Sequence, residues 1–207
     1  DAAGNSSAAN ITLNETDLDD SAPTIAAQTF SYAENRAAGA TVATVVAADN
    51  SGTVSGFSFT ATGTNTSADG FYSISNTGVI TLTADGAASA VNDFELGSNS
   101  GVYSVTASDA AGNSSAANIT LAESNVNDAP SGADKAITIN EDTSYTLVGA
   151  DFGFTDVDGN ALTAVTVNVP SNGTLTLNGV TVTDTTLATI AQINGGLLRF
   201  TPALNAN

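Results

Sequence analysis

The chain has 207 residues, 21 acidic side chains against 3 basic ones, a formal charge of -18, and neither histidine nor cysteine. Its only cations, Arg36, Lys135 and Arg199, leave no basic patch to neutralise phosphates, which excludes binding to nucleic acid or to anionic membranes. Without His or Cys there is no Ser-His-Asp or Cys-His triad, no zinc site of those ligands, no haem link and no disulfide.

At 42% hydrophobic residues the chain still has the material for a core. Its most apolar stretch, Ala40 to Ala48, falls far short of the ~18 residues a membrane-spanning helix needs, so no membrane insertion is expected. The chemistry left to such a chain is that of oxygen ligands, which select hard cations, calcium being the commonest outside cells.

Residues 1–13 read DAAGNSSAANITL, and residues 109–121 repeat the same letters. NETDLDDSAP (14–23) and AESNVNDAP (122–130) then remain alike with one residue deleted. A repeat of domain size points to tandem modules and not to a solenoid. Residues 1–22 are therefore expected to be the C-terminal strand and linker of a preceding module, cut from something longer. Residues 23–128 form the complete module, and 129–207 a second one, expected to be incomplete.

In chain order, the complete module offers TIAAQTFSYAEN, TVATVVAAD, GFSFTATG, GFYSIS, GVITLT, GVYSVTAS and SAANITLA as strands. Each carries β-branched or aromatic residues, and Gly, Asn, Asp or Ser clusters separate them at roughly 8 to 12 residue intervals. Alternation is clear where Val79 and Thr81 oppose Ile80 and Leu82, and where Tyr103 and Val105 oppose Ser104 and Thr106. About seven strands in about 105 residues predict an immunoglobulin-like Greek-key sandwich, hence an all-β fold class. Phe30, Phe57, Phe59, Phe71, Tyr72 and Phe94 are the expected large core groups. In the second module AITIN, YTLVG, LTAVTVNV, GTLTLNG and LLRFT are strand candidates, and LATIAQING a short helix.

The acids sit at strand ends and between modules. The linkers are DLDDSAP (17–23) and NVNDAP (125–130), each with a proline at the entry to the next module. The other strings place Glu34 in AENR, Asp49 in AADNSG, Asp93 and Glu95 in NDFE, Asp109 in ASDAAGN, and Asp156 and Asp158 in FTDVDGN. In this order they resemble the cadherin-like repeats of giant bacterial adhesins, including those secreted as RTX proteins. The family's linker reads DxNDNxP, which DLDDSAP matches in spacing, with Asp19 and Ser21 at the two Asn positions. NVNDAP has Asn125 in place of the first Asp and is one residue shorter. The family's XEX glutamate matches Glu34, its LDRE string matches Asp93 and Glu95, and its AxDxD string matches Asp49 with Ser51. Its late aspartate matches Asp109. In the second module the AxDxD role falls on Asp156 and Asp158.

The resemblance implies calcium bound where modules meet. Asp17, Asp19, Asp20, Asp49, Ser51 and Asp109 would serve the junction before the complete module. Glu34, Asp93, Glu95, Asn125, Asn127, Asp128, Asp156 and Asp158 would serve the next. It further implies an extracellular protein of the bacterial cell surface, whose partners are calcium ions and neighbouring modules of the same chain. Physically, crowded carboxylates repel by roughly 1 kcal/mol per pair at 4 Å in water and about 4 kcal/mol at an effective dielectric near 20. Calcium offsets that repulsion and converts a hinge into a joint. The expected role is a spacer that holds a distal adhesive domain outward.

Competing readings have less behind them. Asp69, Asp142, Asp151 and Asp184 fit no such role and read as turn residues. DVDGN opens like an EF-hand loop, yet no helix and no Glu at the twelfth position follow. No catalysis is expected. The one carboxylate pair suited to glycoside chemistry, Asp93 and Glu95, shares one strand face and looks like a metal shell. A module binding a glycan or peptide at its loop tips is the alternative. Near-verbatim duplication favours a spacer over a unique reader.

Overall fold

The structure, a computed structural model, describes residues 1–16, 18–50, 52–140 and 142–204. The chain divides into two compact units, Asp1–Val126 and Asn127–Asn207.

In the first unit β1 (Gln28–Ala33), β2 (Thr41–Thr44), β3 (Val54–Phe59), β4 (Tyr72–Ile74) and β5 (Val79–Leu82) precede a single helical turn, α1 (Ala84–Ala87). A 3-10 turn at Ala90–Asn92 follows, then the two long strands β6 (Ser100–Asp109) and β7 (Ser114–Ser124). Each expected strand segment overlaps one of these strands, and β3, β6 and β7 reach beyond theirs. They form two sheets, β1-β7-β6-β3 and β2-β5-β4. Neighbours are antiparallel except β1 and β7, which run parallel with Tyr32 opposite Glu123. The chain passes between sheets after β1, β2, β3 and β5. That makes a sandwich with Greek-key connections.

The first strand serves both sheets. Thr24 bridges Ala48 beyond β2, whereas from Gln28 onward the strand lies along β7. Where it changes sides, the Gln28 side-chain amide acts as a peptide unit. It donates to the Val46 carbonyl at 2.9 Å and accepts from the Val46 amide at 3.1 Å. The ladder's hydrogen bonds thus survive the crossover.

The core lies between the sheets and follows the period of two. Ile80 and Leu82 of β5 point inward, as do Val105 of β6 and Ile119 and Leu121 of β7. Burial of each such side chain contributes about 1.5–3 kcal/mol. Of the expected aromatic core only Phe59 and Tyr72 are fully buried. Phe30, Phe57 and Phe71 pack against the core partly buried, and Phe94 is half-buried near the end of the unit. Two aromatics are not foreseen: Tyr103, which packs edge-on against Phe59 and Tyr72, and Tyr32, whose hydroxyl donates to the Val91 carbonyl at 2.6 Å and lies 2.7 Å from the Tyr72 hydroxyl. With those partners two phenols can be buried without loss. Gly78 closes the β4–β5 turn at φ +82, where a Cβ would stand 2.3 Å from the Val45 carbonyl oxygen.

The second unit comprises β8 (Tyr145–Thr146), β9 (Ala164–Val167), β10 (Gly173–Leu177), β11 (Val180–Thr181), β12 (Thr186–Thr189), α2 (Ile190–Asn194) and β13 (Leu198–Pro202). Its sheets are β11-β10-β13-β8 and β12-β9, around Val167, Leu175, Val182, Ala188, Ile193 and Leu198. Two expectations are corrected. AITIN (136–140) is no strand: it is largely exposed and joins no ladder among the described residues, so nothing selects an extended pairing for it. LATIAQING is strand first and helix second, because Leu187 to Thr189 pair with β9. α2 then begins at a Thr189–Gln192 capping box and ends at Gly195.

Of the acids assigned to turns, Asp69 accepts from the Phe71 amide at 3.0 Å and Asp184 from the Val169 amide at 2.9 Å. Asp151 does more than cap a turn. It is buried and accepts from the Val148 amide at 2.9 Å, the Tyr145 hydroxyl at 3.0 Å and Lys135 Nζ at 2.7 Å. No helix among the described residues is long and apolar enough to cross a membrane.

Candidate metal centre

Three carboxylates of the first unit converge from distant points of the chain. Asp19 lies in the extended segment before β1, Asp49 follows β2, and Asp109 ends β6. One carboxylate oxygen of each lies within 4.8 Å of the others. Asp109 is 5% exposed, and Asp19 and Asp49 are half-buried.

The β6–β7 turn builds this site. Asp109 accepts from the Gly112 amide at 2.7 Å, the Asn113 amide at 2.9 Å and the Asn113 side chain at 2.8 Å. The Asn113 side chain also donates to the Asp19 carbonyl at 3.1 Å, tying the incoming segment to the turn. Asp49 accepts from the Gly52 amide at 3.0 Å, and Asp19 from the Ser21 amide at 3.3 Å. A Cβ on Gly52 would stand 2.6 Å from Asp19 Oδ2, so glycine admits this close approach. Burial works against the charge on Asp109, but the hydrogen bonds from Asn113 and Gly112 outweigh it and hold its pKa below the usual carboxylate range.

Calcium binds oxygens at about 2.3–2.6 Å, so two of its ligands stand at most about 5 Å apart. Oxygens within 4.8 Å of one another satisfy that limit, and all the donors are hard. The residues therefore fit calcium. Asp20 is exposed and stands outside this group of three, while Asp17 and Ser51 lie outside the described residues. Asn113, which no sequence string singled out, is a fourth polar member.

At the other end of the same unit, Glu34 follows β1 and is buried. Its carboxylate accepts from the Phe94 amide at 2.7 Å and the Val126 amide at 2.6 Å. An oxygen of Glu95 lies within 4.8 Å of one of Glu34. Glu95 accepts from the Asn125 side chain at 2.7 Å. Asp93 is half-buried and closes the Ala90–Asn92 turn. The structure adds Glu123, absent from the motif-based set. Burial, reinforced by the charges of Glu34, Asp93 and Glu95, raises its pKa from 4.5 to about 7. The sequence does carry a signal for it, a carboxylate at an apolar phase of the alternation Ile119, Leu121, Glu123.

In the second unit the linker residues fold onto the loop at 156–160. The Asp128 amide donates to Asp158 Oδ2 at 2.6 Å, and the Asn160 side chain donates to Asn127 Oδ1 at 2.7 Å. Asp156 accepts from the Asn160 amide at 3.0 Å.

The chain is similar to solved cadherin ectodomains. It resembles chicken VE-cadherin EC1-2 at 22% identity over 53% of each chain, with a TM-score of 0.40. It resembles the human desmocollin-1 ectodomain at 17% identity, covering 92% of this chain and 35% of that one, with a TM-score of 0.48. For the protocadherin gammaB4 extracellular domain the identity is 18%, the coverage 96% and 32%, and the TM-score 0.49. The chain thus spans about half of the first and about a third of the other two. No protein-family model matches it, and neither does any curated protein. The all-β sandwich class stands on the chain's own strand pairings.

Proposed function

We propose that the chain is a stretch of calcium-binding spacer modules of an extracellular bacterial surface adhesin. Acids at module ends and in linkers take up calcium, which restrains the linkers and holds a distal adhesive domain outward. The observation that carries this is the convergence of Asp19, Asp49 and Asp109. A linker, a loop and a strand end, 90 residues apart in sequence between the first and last, bring carboxylates together at calcium's ligand spacing. Such crowding of like charges is unfavourable without a cation to offset it. Asp17, Asp20 and Ser51 belong to the same assignment by linker spacing. So do Glu34, Asp93 and Glu95, with Asn125, Asn127, Asp128, Asp156 and Asp158, at the linker that follows. Extracellular modules work with Kd values of about 0.1 to 1 mM, since calcium is plentiful there.

The test is thermal melting and small-angle scattering of the whole chain with calcium and with chelator. Calcium raises the melting temperature and narrows the spread of particle dimensions, and magnesium does so far less. Superimposable curves in calcium and chelator dispose of the proposal.

A further inference from the structure

Glu123 has no part in the assignment above, yet it is the least accommodated carboxylate of the described chain. It is 7% exposed and faces inward behind Leu121 on β7. On the parallel neighbour β1, Tyr32 stands opposite it, and Glu34, two residues on, faces the same side. The Glu123 amide donates to the Asn99 carbonyl at 2.8 Å. No hydrogen-bond donor among the described residues reaches either Glu123 carboxylate oxygen, and the buried Asn99 Oδ1 is likewise without one. Every other buried carboxylate described above, Glu34, Asp109 and Asp151, accepts from amides or an ammonium.

A buried carboxylate without a donor is expensive, and the like charge of Glu34 on the same side of the neighbouring strand makes it more so. A hydrogen-bond donor would relieve only the first of these costs. A cation relieves both, because it coordinates the oxygens and offsets the charge of Glu34 and of Glu95, whose carboxylates already approach each other.

We propose that Glu123 is a cation ligand, closing from the sandwich interior a hard-oxygen site shared with Glu34 and Glu95, and that the ion is calcium. The inference rests on the calcium reading above and adds to it a ligand contributed by the core face of β7. Asn99, whose carbonyl accepts from the Glu123 amide, carries a buried side-chain oxygen as a neutral donor nearby in the fold.

Tyr32 stands opposite Glu123, so terbium bound there in place of calcium is sensitised by tyrosine excitation. The experiment titrates the whole chain, as wild type, Glu123→Gln, Glu123→Asp and Asp109→Asn, with calcium by calorimetry and with terbium by luminescence. Glu123→Gln is expected to weaken one binding step by about tenfold or more and to abolish most tyrosine-sensitised emission. Glu123→Asp, with the charge kept on a shorter arm, falls between. Asp109→Asn keeps the emission and loses a different step. Wild type that binds no calcium overturns the calcium reading itself. Wild type that binds it, with Glu123→Gln matching in stoichiometry, affinity and emission, overturns the role of Glu123 alone.

Discussion

Replacing Asp49 by Asn reverses its effect on stability according to whether calcium is present. Two unit charges 4.8 Å apart, the outer limit for this group, repel by about 0.9 kcal/mol in bulk water and about 3.5 kcal/mol at an effective dielectric of 20. Asp49 faces two such neighbours, Asp19 and Asp109, but it is half-buried and screened by salt, so the lower figure governs. Asn keeps an oxygen for the Gly52 amide and sheds the repulsion, a net gain of about 1 kcal/mol, or roughly 4–8 °C for a module of about 100 residues. In calcium at 100 times the wild-type Kd, ligation contributes about 2.7 kcal/mol to the wild type, and about 0.4 kcal/mol to a variant bound a hundredfold more weakly. Asp49→Asn therefore melts above wild type in chelator and below it in saturating calcium, as differential scanning calorimetry would show. A variant that melts lower in both, or that gains as much from calcium as wild type, refutes the idea that these three carboxylates share an ion.

In chelator, the stability of the first unit falls as pH rises from about 4.5 to about 7 through Glu123. Its folded pKa lies above its ordinary value, so the folded state holds the proton more tightly and loses that advantage on deprotonation. The ceiling is about 3 kcal/mol, and urea titrations across this range should show the slope in wild type and not in Glu123→Gln. Asp151→Ala, which strands the Val148 amide, the Tyr145 hydroxyl and Lys135, is expected to cost the second unit about 2–3 kcal/mol. The same denaturation assay should show the first unit's transition unmoved. Ile80→Ala, at a site 0% exposed, should cost the first unit about 2–5 kcal/mol.

The strands of the first unit are legible because a half-buried strand must alternate, and Ile80, Leu82, Ile119 and Leu121 keep that phase. The acids of the candidate site are legible as strings at strand ends. Their grouping is not, since Asp19 and Asp109 meet only when β6 and β7 turn beside the incoming segment. AITIN carries a strand's composition without a partner ladder, and only pairing makes a strand. Glu123 belongs to none of the acidic strings at module ends, and its meaning comes from the inward face of β7 that it occupies.

The repeated segment separates the two kinds of information. At its first copy, the Asp1 carboxylate accepts from the Asn5 amide at 3.1 Å and its side chain at 3.3 Å. At the second, Asp109 accepts from the equivalent atoms of Asn113 at 2.9 and 2.8 Å. Gly4 and Gly112 both take positive φ, at 83 and 97. That turn is local chemistry, set by Asp, Gly and Asn at fixed offsets, and it forms wherever the letters occur. The letters ITL that follow behave oppositely. Ile11 and Leu13 are 84% and 91% exposed, whereas Ile119 and Leu121, on β7 between β1 and β6, are 0% and 1% exposed. A side chain's burial depends on what the rest of the chain brings against it. Turns and phase are thus written in the sequence, while the core and the meeting of carboxylates exist only once distant strands have paired.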